Sequence, residues 1–203
     1  MIKIEMNARV SMNAQEDGGS PLTEPSLRAV SYKEPLKLVK TQGQLQIHTS
    51  TFRGSFSIVL SEALRSAGLG SKVLISQFLR GGVNQGPNRA INLCGGLEWL
   101  RPDIETCLPE QSKEEDLSLK RKYQEKAIKE LWAFCKKRIF EKNLDKIVLD
   151  EIGMAISLGF IEENDLISMI NNRPSFTDII LTGPSIPSKV IEMADQITEL
   201  RCN

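Results

Sequence analysis

Residues 48–82, HTSTFRGSFSIVLSEALRSAGLGSKVLISQFLRGG, decide how the rest of the chain is read. Upstream, QLQIHTS places Leu45 and Ile47 in alternation with polar neighbours, as in a half-buried strand. From Ser55 the period changes: Ile58, Val59, Leu60, Ala63, Leu64 and Ala67 recur at helical spacing, and Gly68 and Gly70 close the run. KVLISQF then reads as a second apolar strand and GGVNQGPNRA as an exposed loop. Strand, loop, helix and strand within so short a stretch predict a βαβ unit, with the two strands paired in parallel through a right-handed crossover.

Ligands of such sheets lie at the carboxyl ends of the strands, beside helix N-termini whose free N–H groups favour anions. TSTFRGSF, residues 49–56, holds that place. A standard phosphate loop reads G-x-x-x-x-G-K-[ST]. Gly54 fits it, whereas Thr49 stands at the first glycine, Ser55 at the lysine and Phe56 at the hydroxyl that meets magnesium. Spacing alone makes this a weak signal.

Downstream the alternation continues. LEWL reads as a strand, and residues 114–141 form the longest helical pattern, with Ile128, Leu131, Trp132, Cys135 and Ile139 on one face. DKIVLDE is a buried strand, followed by a helix around ENDLISMINNR, the strand DIILT, the turn GPSIP, the helix SKVIEMAD and a last strand ITEL. Strands alternating with helices predict an α/β fold, a doubly wound and mainly parallel sheet in three layers. Residues 1–40, with Gly18-Gly19 and three prolines within NAQEDGGSPLTEPSLRAVSYKEP, read as a flexible N-terminal leader, and residues 41–203 as a single domain.

The chain of 203 residues carries 26 basic and 26 acidic side chains, so its charge gives no reason to expect a nucleic-acid partner. No apolar run reaches membrane-spanning length, and no secretory signal core follows the first residues, which predicts a cytoplasmic protein without a membrane partner. Cys94, Cys107, Cys135 and Cys202 form no Cys-x-x-Cys pair and read as reduced thiols. His48, the single histidine, reads as a packed residue at a strand edge, Trp132 as core, and the basic residues from Lys120 to Arg138 as a solvated helix face. Trp99 is open between core and a stacking role.

In IVLDE an apolar strand delivers Asp150 and Glu151 to one edge. Carboxylates there suit magnesium, a hard cation shared with substrate phosphates, and equally suit the first turn of the helix that follows.

Taken together, these segments resemble the ATP:corrinoid adenosyltransferase family over roughly residues 44–201. IVLDEIGMAISLGFIEENDLISMINNRP looks like the family's V-V-L-D-E, helix-turn and N-R-P. DIILTGPSIPSKVIEMADQITELR looks like its strand, T-G-R and A-D-x-V-T-E-x-R, and EALRSAGLGSKVLISQFLRGG is similar to its A-L-R-A-x-G-x-G and Q-F-x-K-G segment. The resemblance implies a P-loop NTPase-like architecture and transfer of the 5′-deoxyadenosyl group of ATP to the reduced cobalt of a corrinoid, with release of triphosphate, in cobalamin metabolism. It implies phosphate contacts from Thr49, Ser50, Thr51, Arg53, Gly54 and Ser55, where the family has T-G-[ND]-G-K-G-K-T. It also implies Mg2+ at Asp150 and Glu151, further ligand contacts from Arg65, Gln77 and Arg80, and a homodimer.

The departures define a second reading. Ser50, Thr51 and Phe52 stand where the family has small or glycine-rich positions, Ser55 and Phe56 replace its Lys-Thr pair, and Pro184 replaces the arginine of T-G-R. A charge-assisted hydrogen bond to phosphate contributes roughly 1.5–3 kcal/mol, so the missing lysine alone weakens triphosphate binding about 10- to 150-fold. Arg53 offsets part of that. The alternative is a catalytically inactive relative serving as a regulatory or partner-binding protein, with Phe52 or Phe56 filling an emptied phosphate site.

Overall fold

The computed structural model describes residues 42–53, 56–80, 91–93, 96–105, 107–108, 117–141 and 143–201. The predicted leader and the GGVNQGPNRA loop lie outside the described residues. In chain order the elements are β1 (Leu45–Ser50), α1 (Ser57–Gly68), β2 (Val73–Gln77), β3 (Ile91–Leu93), β4 (Leu97–Leu100) and α2 (Leu117–Phe140), then β5 (Lys146–Asp150), α3 (Ile152–Ser157), α4 (Glu163–Asn171), β6 (Asp178–Thr182), α5 (Ser188–Glu192) and β7 (Gln196–Leu200).

They form one seven-stranded sheet in the order β3-β4-β2-β5-β6-β1-β7, parallel throughout except where β3 runs antiparallel to β4 at the edge. The centre belongs to β5, whose five residues are all buried. Such a strand has to be apolar on both pleat faces because helices cover both. Val73, Ile75, Val148 and Ile180 point to one face, where they meet Val59, Leu60, Ala63 and Ala67 of α1. Leu74, Ile147, Leu149, Ile179 and Leu181 point to the other, where they meet α2 through Ile128, Leu131, Trp132, Cys135 and Ile139, and α3 and α4 through Ile152, Ala155, Leu166 and Ile170. The result is the expected three-layer α/β fold. Each fully buried side chain of this kind contributes roughly 1.5–3 kcal/mol from removal of apolar surface from water.

One topological expectation fails. β1 and β2 are parallel members of one sheet but do not pair; β6 and β5 lie between them. Three strand spacings amount to about 14 Å, and the 12-residue α1 is about 18 Å long, enough to carry the chain across. β1 instead pairs with β6 on one side and β7 on the other. The chain leaves β1 in one direction through α1 and reaches β7 in the other through α5, so the carboxyl end of β1 is a topological switch point.

Two short elements, β3 and the six-residue α3, stand beyond what the periodicity announced. In α1, Ile58 and Leu64 belong to the exposed side of the helix rather than the packed one. No helix among the described residues is long and apolar enough to cross a membrane.

Candidate functional site

At the carboxyl end of β5 the backbone turns at once: Glu151 takes a left-handed conformation with φ of 60° and starts α3. In a continued strand Asp150 and Glu151 would point to opposite faces; the turn brings both carboxylates into one cluster. Gly183 makes the turn sterically feasible. Its φ is 112°, and a Cβ there would lie 2.9 Å from the Cα of Glu151, a contact real side chains avoid.

Four strand ends converge on these acids. From β6, the Thr182 hydroxyl donates to Asp150 Oδ1 and accepts from the Glu151 backbone N–H at 3.3 Å. From β2, Gln77 sits directly opposite Asp150 in register and donates from Nε2 to Asp150 Oδ2 at 2.9 Å. The other end of that amide is oriented by two donors, Trp99 Nε1 at 2.9 Å and Arg101 Nε at 2.8 Å, at and just beyond the end of β4. From the loop after β1, Arg53 forks onto Glu151, with Nε to Oε1 at 2.7 Å and Nη2 to Oε2 at 2.8 Å, while Nη2 also donates to the Leu79 carbonyl at 3.0 Å.

Arg80 lies between the two acids. Its Nη2 donates to Glu151 Oε1 at 3.3 Å, and its Nε lies 3.2 Å from Asp150 Oδ2 without hydrogen-bond alignment. Both acids are buried, and only Arg53, with 26% of its side chain exposed, brings the ion pairs to the surface. The hydrogen bond to Glu151 holds the Arg53 guanidinium above its ordinary pKa, whereas burial, then the charge of Arg80, lower that of Arg101. Pairing of this kind offsets the desolvation of two buried carboxylates, and removing one partner from a buried pair costs about 3–5 kcal/mol.

The expected magnesium ligands do not fit a metal site in this arrangement. Both oxygens of Glu151 accept from Arg53, one of them from Arg80 as well, and both oxygens of Asp150 accept from Thr182 and Gln77. Among the described residues no three side chains of the His, Cys, Asp and Glu types converge as a metal-holding group.

Of the residues anticipated at the site, Arg53, Gln77, Arg80, Asp150 and Glu151 share this cluster. Ser50 is buried and gives its hydroxyl to the Phe52 carbonyl, Thr49 is half-buried, and Thr51 is exposed. Gly54 and Ser55 lie outside the described residues. Arg65 is exposed in the last turn of α1, at the opposite end of the helix from the loop. Phe56 is buried at the start of α1 and meets His48 edge-on at 6.4 Å, while Phe52 is 41% exposed.

Thr182 and Arg101 were not anticipated. Their only signals were a threonine before the glycine that ends an apolar strand and an arginine one step beyond LEWL. Trp99 proves to be a buried hydrogen-bond donor rather than an open stacking platform. Beside Arg101 a cleft of about 320 Å³ opens between the end of β4 and α2, lined by Leu100, Pro102, Tyr123 and Phe134 among others. That volume is at the small end for ligand sites and suits one ring system rather than a whole corrin.

The sequence matches the family described as ATP:corrinoid adenosyltransferase BtuR/CobO/CobP over residues 41–203. It is similar to the corrinoid adenosyltransferase of Escherichia coli K12, 26% identical over 162 residues, which cover 79% of this chain and 77% of that protein. The corrinoid adenosyltransferase CobA of Salmonella typhimurium LT2 is 26% identical with the same coverage, and that of Pseudomonas aeruginosa is 25% identical over 169 residues, 78% of this chain and 75% of its own.

Proposed function

Because the chain belongs to the ATP:corrinoid adenosyltransferase family, we propose that it transfers the 5′-deoxyadenosyl group of ATP to the reduced cobalt of a corrinoid in the cytoplasm. In that reaction a cobalt–carbon bond forms with the metal's electron pair as the C5′–O bond breaks, and triphosphate leaves. The observation that carries the reading is the polar cluster at the switch point of the sheet, where the loop after β1 faces the acids after β5. Thr49, Ser50, Thr51 and Arg53, with Gly54 and Ser55, surround the triphosphate; Gln77 and Arg80 hold the acids in place beneath it. Arg65 has no part in this reading, because it lies at the far end of α1. Mg2+ coordinated by Asp150 and Glu151 is left out of it too, because Arg53 and Arg80 already hold the Glu151 oxygens, and Thr182 and Gln77 those of Asp150. The test is anaerobic incubation of the purified chain with ATP and reduced corrinoid, read by absorbance and by isolation of the adenosylated product. Product formation supports the reading; its absence beside an active relative under the same conditions overturns it.

The Arg53–Glu151 fork favours a second reading. The one loop residue that could stand in for a phosphate-binding lysine is engaged on a carboxylate, which suits an inactive relative that regulates or binds a protein partner. That reading predicts that the chain retains its cellular role when Asp150 and Glu151 are changed to alanine. A homodimer accompanies either reading, and sedimentation velocity reads it directly.

A further inference from the structure

Strand β7 ends the sheet, and its outer edge meets no other strand among the described residues. The N–H of Asp195, just before it, donates to the Leu45 carbonyl at 2.9 Å. Successive residues of a strand present their backbone groups to opposite sides, so Ile197 and Glu199 turn theirs to β1, while Gln196, Thr198 and Leu200 turn theirs outward. Exposed edges of natural sheets are commonly blunted by lysine, proline or a bulge. QITEL has none of these: its register with β1 runs unbroken from Gln196 to Leu200, and Ile197 is 51% exposed. The opposite edge, by contrast, is the three-residue β3.

We infer that β7 pairs antiparallel with β7 of a second copy about a two-fold axis through Thr198, making one continuous sheet across the dimer. The axis sets Thr198 opposite the partner subunit's Thr198, where the outward N–H and C=O groups bond reciprocally, and Gln196 opposite the partner subunit's Leu200. The ladder supplies about six hydrogen bonds. Charge fits the same register. Arg201 falls opposite the partner subunit's Asp195; both side chains are more than half exposed, and both lie on the strand face of Ile197 and Glu199. Arg201 already donates to Glu199, so it stands between that acid and the partner subunit's Asp195, and the axis repeats the arrangement. Ile197 and the partner subunit's Ile197 are diagonal neighbours on that face, within reach of each other. Five residues a side fall short of the roughly 800 Å² per partner of a standard stable interface, so the dimer exchanges with monomer at micromolar concentration. Because the strands reverse across the axis, the carboxyl ends of β1 and β5 open on opposite sides in the two copies, and each candidate site is built by its own chain. The inference gives the homodimer named above an interface and stands whether or not the chain transfers an adenosyl group.

The test is sedimentation velocity of the full chain across the micromolar range, beside Thr198→Lys and Arg201→Glu. The expected result is a dimer fraction that grows with concentration, and a dissociation constant raised about tenfold or more by either variant. The melting transition should stay where it is, because Thr198 turns its backbone groups away from β1 and Arg201 is exposed. Oxidation reads the register. Thr198→Cys should give a cross-linked dimer, its Cα atoms lying about 5.5 Å apart across the axis. Gln196→Cys, which faces the partner subunit's Leu200 rather than its own counterpart, should cross-link no more than the parent chain, whose native cysteines set the background. A monomer throughout the range, or a dimer that either charge variant leaves intact, overturns the inference. So does equal cross-linking of the two cysteine variants. None of these outcomes bears on the adenosylation assay, so the two readings fail separately.

Discussion

Arg53 and Glu151, 98 positions apart in the chain, meet through two near-parallel hydrogen bonds of 2.7 and 2.8 Å. Glu151 has no exposed side-chain surface, whereas Arg53 is 26% exposed. The fork therefore secures a buried acid from the surface side. Arg53→Gln removes the charge and one arm of the fork while Arg80 still faces Glu151, so the expected loss is about 2–3 kcal/mol, below the full cost of an uncompensated buried charge. Denaturant unfolding of wild type and variant checks it, and a change below experimental scatter would mean that the pair does not hold the site.

Thr182→Val keeps the shape of the side chain and removes the hydroxyl that joins Asp150 to the Glu151 backbone. Leaving a buried carboxylate oxygen without that donor should cost about 1.5–3 kcal/mol. Thr182→Ser, which restores the hydroxyl, should recover most of it. Equal stabilities for the valine and serine variants would show that packing, not the hydrogen bond, matters at this position.

Gly183→Ala tests the close approach of β6 to the β5 turn. The added methyl would stand 2.9 Å from the Cα of Glu151 on a backbone with φ of 112°. Strain at such a position is about 1–3 kcal/mol before any displacement of Glu151. The expected outcome is a lowered denaturation midpoint together with weakened ATP binding, because the two carboxylates move apart.

His48 provides a pH test. Burial lowers its pKa from the ordinary 6.5, and Glu62 opposes that only in part. A histidine with a depressed folded-state value contributes no penalty above the unfolded value, where both states are neutral. Below 6.5 the unfolded chain takes up the proton first, so stability falls as the pH drops towards the folded-state value. As the chain has one histidine, His48→Asn should flatten the melting-temperature profile between about pH 5 and 6.5, the range in which histidine titrates. Parallel profiles for the two proteins would show that another group sets the acid limit.

Cys135 should resist alkylation in the native protein. Its thiol is fully buried against the Ser76 hydroxyl, and burial pushes its pKa up to about 12, so thiolate is scarce at neutral pH. Peptide mapping after brief iodoacetamide treatment should find Cys107 modified and Cys135 unmodified until denaturant is added.

Much of the sheet was legible because its strands are buried on both faces and read as unbroken apolar runs. KVLISQF, KIVLD and DIILT each announce themselves this way, and the face of α2 built on Ile128, Trp132, Cys135 and Ile139 announces itself by period. Strand neighbours were not legible. Which strand lies beside β1 depends on segments more than a hundred residues downstream, and nothing local to HTSTFRGSF records that β5 and β6 insert between β1 and β2. The acids of the site were visible as charges at the end of an apolar strand. Their partners were only partly so: Arg53 and Arg80 were named as ligand contacts, but an arginine that meets phosphate and an arginine that meets glutamate look alike in a sequence. The left-handed turn at Glu151 also escaped, since glutamate has no preference for that conformation and is held there by the contacts of Gly183 and Thr182.

The register of β1 has a consequence for how the protein is made. Gln44 bonds to Asp178 across a separation of 134 residues, and every ladder partner of β1 lies in β6 or β7. At about 5–20 residues per second on the ribosome, the chain emerges with β1 waiting roughly 7–27 s for its first neighbour. During that interval LQIHTS is an unpaired strand with both edges open and with Leu45 and Ile47 uncovered. Newborn copies are then most vulnerable to mutual association, and a slowed translation rate should lower the soluble yield more than a comparable loss of equilibrium stability.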